Sequence, residues 1–213
     1  MVMANGPSRG RSLVWRVYRE AMPILLFTVV AELFAGYLLI QLEHGSLANL
    51  VGLFVLIPGL MQLRGNISTA LAQRLGSATH LGTISWKQGL NEPLRANIKV
   101  AFYLGLVMSF SLGVGAWVVT QLSLSSLGNQ GISIDFHILA LSQFVTIAMV
   151  TALLASLVQV TITVTVALFA HAKGLDPDNV VIPMVAAIGD IITIACLLFA
   201  INFAVLIVPP WPL

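Results

Sequence analysis

Five long apolar stretches run along the chain, roughly Ala21–Gln41, Ala48–Ala72, Val100–Gln121, Phe136–Ala170 and Val180–Val208. Each reaches the ~20 residues that a helix needs to cross about 30 Å of hydrocarbon. Polar and apolar positions do not alternate with period two, so a β-barrel is not expected. The pattern predicts an all-α membrane protein with five transmembrane helices. The fourth stretch, at 35 residues, would extend roughly 52 Å as a helix. It reads as one tilted helix that protrudes from the bilayer. A break near "QVTITVTV" (159–166), where β-branched residues favour helix less, is the alternative.

Composition agrees with the pattern. Of 213 residues, 58% are hydrophobic and 8% charged, far below the roughly 25% charged residues of a soluble domain. The lone Cys196 rules out an intramolecular disulfide. Charge placement then sets a topology. Arg9, Arg11, Arg16 and Arg19 precede the first stretch. Arg74, Lys87, Arg95 and Lys99 lie between the second and third, and Lys173 between the fourth and fifth. The intervening loops "LEHGSLAN" and "LSLSSLGNQGISID" hold no basic residue. The positive-inside rule therefore predicts a cytoplasmic N-terminus and an outside C-terminus. Residues 1–20 become a cytoplasmic segment and 21–213 a five-helix transmembrane domain. The first stretch is too long for a signal-peptide core and lacks a small-residue cleavage site, so it reads as retained. Residues 73–97, which mix Trp86 and Leu90 with Lys87 and Arg95, suit an interfacial segment.

Three ionisable residues fall inside apolar stretches: Glu32 in the first, Arg64 in the second and Asp190 in the fifth. Each costs at least about 2.5–3.5 kcal/mol at the bilayer centre and persists only with a partner, water or an ion. Glu32 and Arg64 come at similar depth, so an ion pair between them is expected. In the functional alternative Glu32 lines an ion path and Arg64 tunes it. That leaves Asp190 with no cationic partner, either hydrogen-bonded inside the bundle or facing a cation. "AAIGD" puts small residues on the turn before it, which opens the carbonyl of Ala186 to a ligand. Mg²⁺ keeps its waters and can be held through them by a carboxylate. A two-fold axis would supply a second Asp190. Asp176 and Asp178, before the fifth stretch, read as helix-capping residues or as an anionic mouth. Gly65-Asn66, downstream of Pro58-Gly59, marks a kinked packing helix or an Asn66 amide facing a hydrated path.

The stretches "PGLMQLRGNISTALAQRLG" (58–76) and "DPDNVVIPMVAAIGDIIT" (176–193), set in the second and fifth of five apolar segments, resemble the membrane domain of the MgtE magnesium transporters and their animal solute-carrier relatives. The resemblance implies a homodimer with its pore at the two-fold axis. It implies that Asp190 and the Ala186 carbonyl bind hydrated Mg²⁺, and that Gly65 and Asn66 lie on the pore side of the second helix. Two departures stand out. Bacterial members carry large cytoplasmic sensor domains, whereas about 20 residues precede the first stretch here, so gating by such a domain in cis is not expected. "LRGN" also puts Arg64 where bacterial members are glycine-rich, closer to the solute-carrier form.

The expected function is divalent cation transport, Mg²⁺ by resemblance, in a multi-pass protein of the cell membrane. Exchange coupled to Na⁺ or H⁺ is one alternative, and a non-transporting membrane scaffold is another. No histidine or cysteine has a nucleophilic or metal partner in the pattern, so enzymatic activity is not expected. The basic residues are those the topology requires, so nucleic acid is not an expected partner. Lipid is, and a separate regulatory subunit stays open.

Overall fold

A computed structural model describes residues 7–43, 51–85, 89–129, 139–175 and 177–207. These form five helices: α1 (Pro7–Glu43), α2 (Val51–His80), α3 (Glu92–Asn129), α4 (Leu141–Ala172) and α5 (Pro177–Ile207). Each contains the core of one apolar stretch and extends past it into polar sequence. The connection expected over residues 73–97 therefore shrinks to residues 81–91, because α2 runs on to His80 and α3 starts at Glu92. Asn91 starts α3 by accepting a hydrogen bond from the Leu94 N–H (3.1 Å), the contact an N-capping side chain makes.

Two helices stop in the same way. After α2, the Thr83 N–H bonds to the Ala78 carbonyl and the Gly82 N–H to Thr79. After α4, the Leu175 N–H bonds to Ala170 and the Gly174 N–H to His171. Both terminators need left-handed backbone at the glycine, φ 71° at Gly82 and 68° at Gly174, which only glycine adopts without a Cβ penalty.

α4 is continuous over Leu141–Ala172, so the break considered near residues 159–166 is absent. Thr161, Thr163 and Thr165 each donate a hydroxyl to the carbonyl four residues back, at 2.8 Å. Those hydroxyls are satisfied inside the helix they were expected to weaken.

Helix α2 packs against α3, α4 and α5, and α4 in turn against α3 and α5. Among the described residues α1 packs against α5 alone. Among the described residues four helices are long and apolar enough to cross a membrane: α1 over Val17–Ile40, α3 over Glu92–Ser126, α4, and α5 over Asn179–Ala204. Trp15, Leu26, Val30 and Leu33 on α1, and Tyr103 and Val107 on α3, are exposed. An outer surface of this kind belongs in lipid, and the protein is an integral, multi-pass membrane protein.

The core is divided. One apolar cluster joins Leu53, Leu56 and Leu60 of α2 with Phe144 and Ile147 of α4 and Leu197 and Ile201 of α5. A second joins Leu71 and Leu75 of α2 with Ala101 of α3, Leu168 of α4 and Val181 of α5. Between them, on every one of α2 to α5, lies a belt of small and polar positions: Arg64 and Ser68, Gly105 and Ser109, Ser156 and Gln159, Gly189 and Thr193.

Candidate functional site

The three intramembrane charges do not pair as their depths suggest. Arg64 points into the bundle and is only 2% exposed. Its Nη1 donates to Ser156 Oγ on α4, and Cys196 of α5 lies within electrostatic range. Arg64 Nε and Nη2 have no hydrogen-bond partner among the described residues. Glu32 does not meet Arg64. It sits on α1, which among the described residues reaches only α5, and its carboxyl lies close to that of Asp190. The expected Glu32–Arg64 ion pair is thus replaced by a carboxyl pair on the α1–α5 face and a separate arginine inside the belt. The physical reason is azimuth: a residue count fixes depth along a helix but not which neighbour the side chain faces.

The carboxyl pair forms where α1 docks. Ala31 and Ala35 bury one small-residue edge of α1, and Ala35 joins the α2–α4–α5 cluster. Small residues let helix backbones approach closely in lipid. Glu32 lies beside that edge, exposed, while Asp190 is half-buried. Ala186, one turn before Asp190, is also half-buried.

Close packing holds Asp190 from behind. A Cβ placed on Gly189 would overlap Gln159 Nε2 and lie 3.1 Å from its Cδ, so α4 and α5 meet there through a glycine. Gln159 is buried, and its Nε2 has no partner among the described residues. Thr193 Oγ1 donates to the Gly189 carbonyl (2.7 Å). Gly105 plays the matching part for Arg64, since a Cβ there would lie 3.1 Å from Ser156 Oγ and 3.4 Å from Arg64 Nη1. Sequence reading missed Ser156, Gln159 and Gly105, and it noted Gly189 as one of the small residues before Asp190. A signal was present: Ser156, Gln159 and Thr163 recur at three and four residues along α4, which places them on one face.

The outer face of α2 carries Gln62, Asn66, Gln73 and Ser77, all exposed, with half-buried Thr69 between them. At spacings of four, three, four and four they form one polar stripe. Asn66 Oδ1 accepts from Gln62 Nε2 (3.2 Å) and lines a cleft against α3. A Cβ on Gly65 would meet nothing within 4 Å. Asp176 lies outside the described residues. Asp178 is in the first turn of α5, with its side chain outside them. His80 and His171, at the ends of α2 and α4, sit edge to face with ring centroids 5.7 Å apart.

Among the described residues no three of histidine, cysteine, aspartate and glutamate cluster as metal ligands. Two carboxyls with open surroundings can instead hold a cation through its water shell, the mode that suits an ion reluctant to dehydrate.

Comparison with known proteins gives this arrangement its context. The MgtE family model, described as a divalent cation transporter, matches residues 57–200, from the middle of α2 into α5. Solute carrier family 41 member 3 of Mus musculus is 28% identical over 198 residues, covering 92% of this chain and 38% of that protein. Solute carrier family 41 member 2 of Xenopus laevis is 32% identical over 164 residues, covering 76% of this chain and 28% of that protein. The Homo sapiens member 2 is 31% identical over the same length. The chain thus spans between about a quarter and two fifths of the curated relatives it matches. No solved structure matches it. With its family model covering two thirds of the sequence, the chain belongs to the MgtE family of divalent cation transporters and not to an enzyme family.

Proposed function

We propose that this chain conducts hydrated Mg²⁺ across the cell membrane, and that the Glu32–Asp190 carboxyl pair is the cation's central contact. The single observation that carries the reading is this pair: two carboxyls from α1 and α5 that meet each other and not a cation. Anionic groups inside a bilayer are costly, and a dication offsets that cost directly. The Ala186 carbonyl, one turn back on α5, is the third oxygen offered to the ion's water shell.

In this reading all five helices span the membrane, with the N-terminus cytoplasmic and the C-terminus outside. Two copies meet across a two-fold axis, which brings a second Glu32–Asp190 pair to the assembly. Membrane potential drives the ion inward with about 4.6 kcal/mol per 100 mV, twice the single-charge value.

The test is Mg²⁺ uptake into liposomes holding purified protein, wild type beside Asp190→Ala. Flux at least tenfold lower in the variant, with a preserved helical spectrum, supports the reading. Equal flux in both proteins refutes it. A proton-coupled exchange is the second reading. It is favoured by the proximity of the two carboxyls, since two neighbouring carboxyls can share one proton that an incoming dication would displace. Flux that stops when the pH gradient is collapsed selects it, and flux driven by an imposed Na⁺ gradient selects Na⁺ coupling.

A further inference from the structure

We infer that the α2–α3 face carries a binding site for an anionic phospholipid, with its phosphate at Arg74 and an acyl chain along the groove beyond it. Two clefts on this face run into one another and share Ala70 and Arg74. The first, of about 590 Å³, is polar, lined by Gln73, Arg74, Ser77, Thr83 and Asn97. The second, of about 310 Å³, is apolar, lined by Leu63, Ile67, Ala101, Leu104 and Met108 with Asn66 at its edge.

Three features fit a lipid. Among the described residues the polar cleft offers one cation and several hydrogen-bonding side chains, and no carboxylate lines either cleft. Arg74 is exposed, and its guanidinium has no recorded partner among the described residues; its N–H fork matches two oxygens of a tetrahedral phosphate. The dimensions match as well. From Arg74 to Leu63 the groove follows α2 for about 16 Å, close to one leaflet of a ~30 Å hydrocarbon core. The polar cleft lies at the end of the bundle that also carries Arg95, Lys99 and Lys173, where an anionic leaflet surface is favoured.

The site is separate from the carboxyl pair on α1 and α5, so its test reads binding and not flux. The full chain, stripped of lipid in detergent, is titrated with phosphatidylglycerol or phosphatidylcholine of identical acyl chains and followed by native mass spectrometry. Wild type is compared with Arg74→Gln, with Ala70→Trp, which fills the junction of the two clefts, and with Arg95→Gln, an exposed cation that lines neither. Phosphatidylglycerol should bind about fivefold more tightly than phosphatidylcholine, as one basic side chain near an anionic headgroup provides. Arg74→Gln should erase that preference, Ala70→Trp should weaken both lipids, and Arg95→Gln should change neither. Equal binding of the two lipids to wild type overturns the inference. So does an equal loss in Arg74→Gln and Arg95→Gln, which would mark diffuse attraction. A change of oligomeric state in Ala70→Trp without loss of lipid overturns it too, because the groove would then be covered by a second copy.

Discussion

Replacing Gly189 with alanine probes the packing behind Asp190. Two opposed effects follow from the structure. Glycine in a helix interior costs about 1 kcal/mol relative to alanine, so the substitution gains roughly that amount where space is free. Here space is not free. The new Cβ overlaps the amide nitrogen of Gln159 and stands 3.1 Å from its Cδ, tighter than nearly all real Cβ contacts. Gln159 is only 2% exposed, so its amide cannot swing out to solvent and must push on α4 or α5. Such overpacking costs about 1–3 kcal/mol. The expected net effect is a destabilisation of about 1 kcal/mol. Truncating Gln159 to alanine removes the obstacle, and Gly189→Ala in that background should then stabilise by about 1 kcal/mol. The coupling across the cycle is therefore about 2 kcal/mol, within the range found for residues in direct contact. Reversible unfolding of all four proteins in mixed SDS and mild detergent, followed by far-ultraviolet circular dichroism, measures it. If Gly189→Ala has the same effect in both backgrounds to within about 0.5 kcal/mol, the α4–α5 contact at Gly189 is not as described. Because Asp190 is the next residue, Gly189→Ala should also lower cation flux while the carboxyl pair stays intact.

Three further expectations come from the same geometry. Glu32→Gln leaves a hydrogen-bonding group opposite Asp190 but removes one charge, so it should raise the Mg²⁺ concentration for half-maximal flux at least severalfold, and an unchanged concentration dependence would exclude Glu32 from the ion's path. Arg64→Met keeps most of the buried volume and removes a charge with two unpartnered donors, so stability in detergent should hold or rise by about 1–4 kcal/mol, as for other replaced buried ions; a loss of several kcal/mol would show that the guanidinium is fully satisfied in the membrane. Gly65→Ala meets open space within the protomer, so thermal stability of the monomer should hold or rise by up to about 1 kcal/mol, and a fall in the dimer fraction on size exclusion would place α2 at the interface between copies.

The sequence by itself determined the class and the number of helices. Apolar runs of membrane-spanning length, separated by polar segments, leave a backbone in lipid no option but helix, because every N–H and C=O must be bonded locally. It also singled out Asp190, since a carboxylate is costly enough in that setting to demand a reason wherever it occurs. It was less reliable about helix ends: polar residues past each apolar run extend α2 to His80 and start α3 at Glu92, where hydropathy carries no signal but capping does.

Only the tertiary structure decided who meets whom. Residue counts put Glu32 and Arg64 at similar depth, yet among the described residues α1 touches α5 alone and Arg64 turns toward Ser156. Periodicity fixes the angle between two residues on one helix but not the angle between helices. The polar belt was hidden for the same reason. Gly105, Ser156 and Gln159 lie on α3 and α4, and each looks unremarkable in its own segment. They become a site only when α3, α4 and α5 close around α2, where a missing Cβ on one helix makes room for a polar head from another.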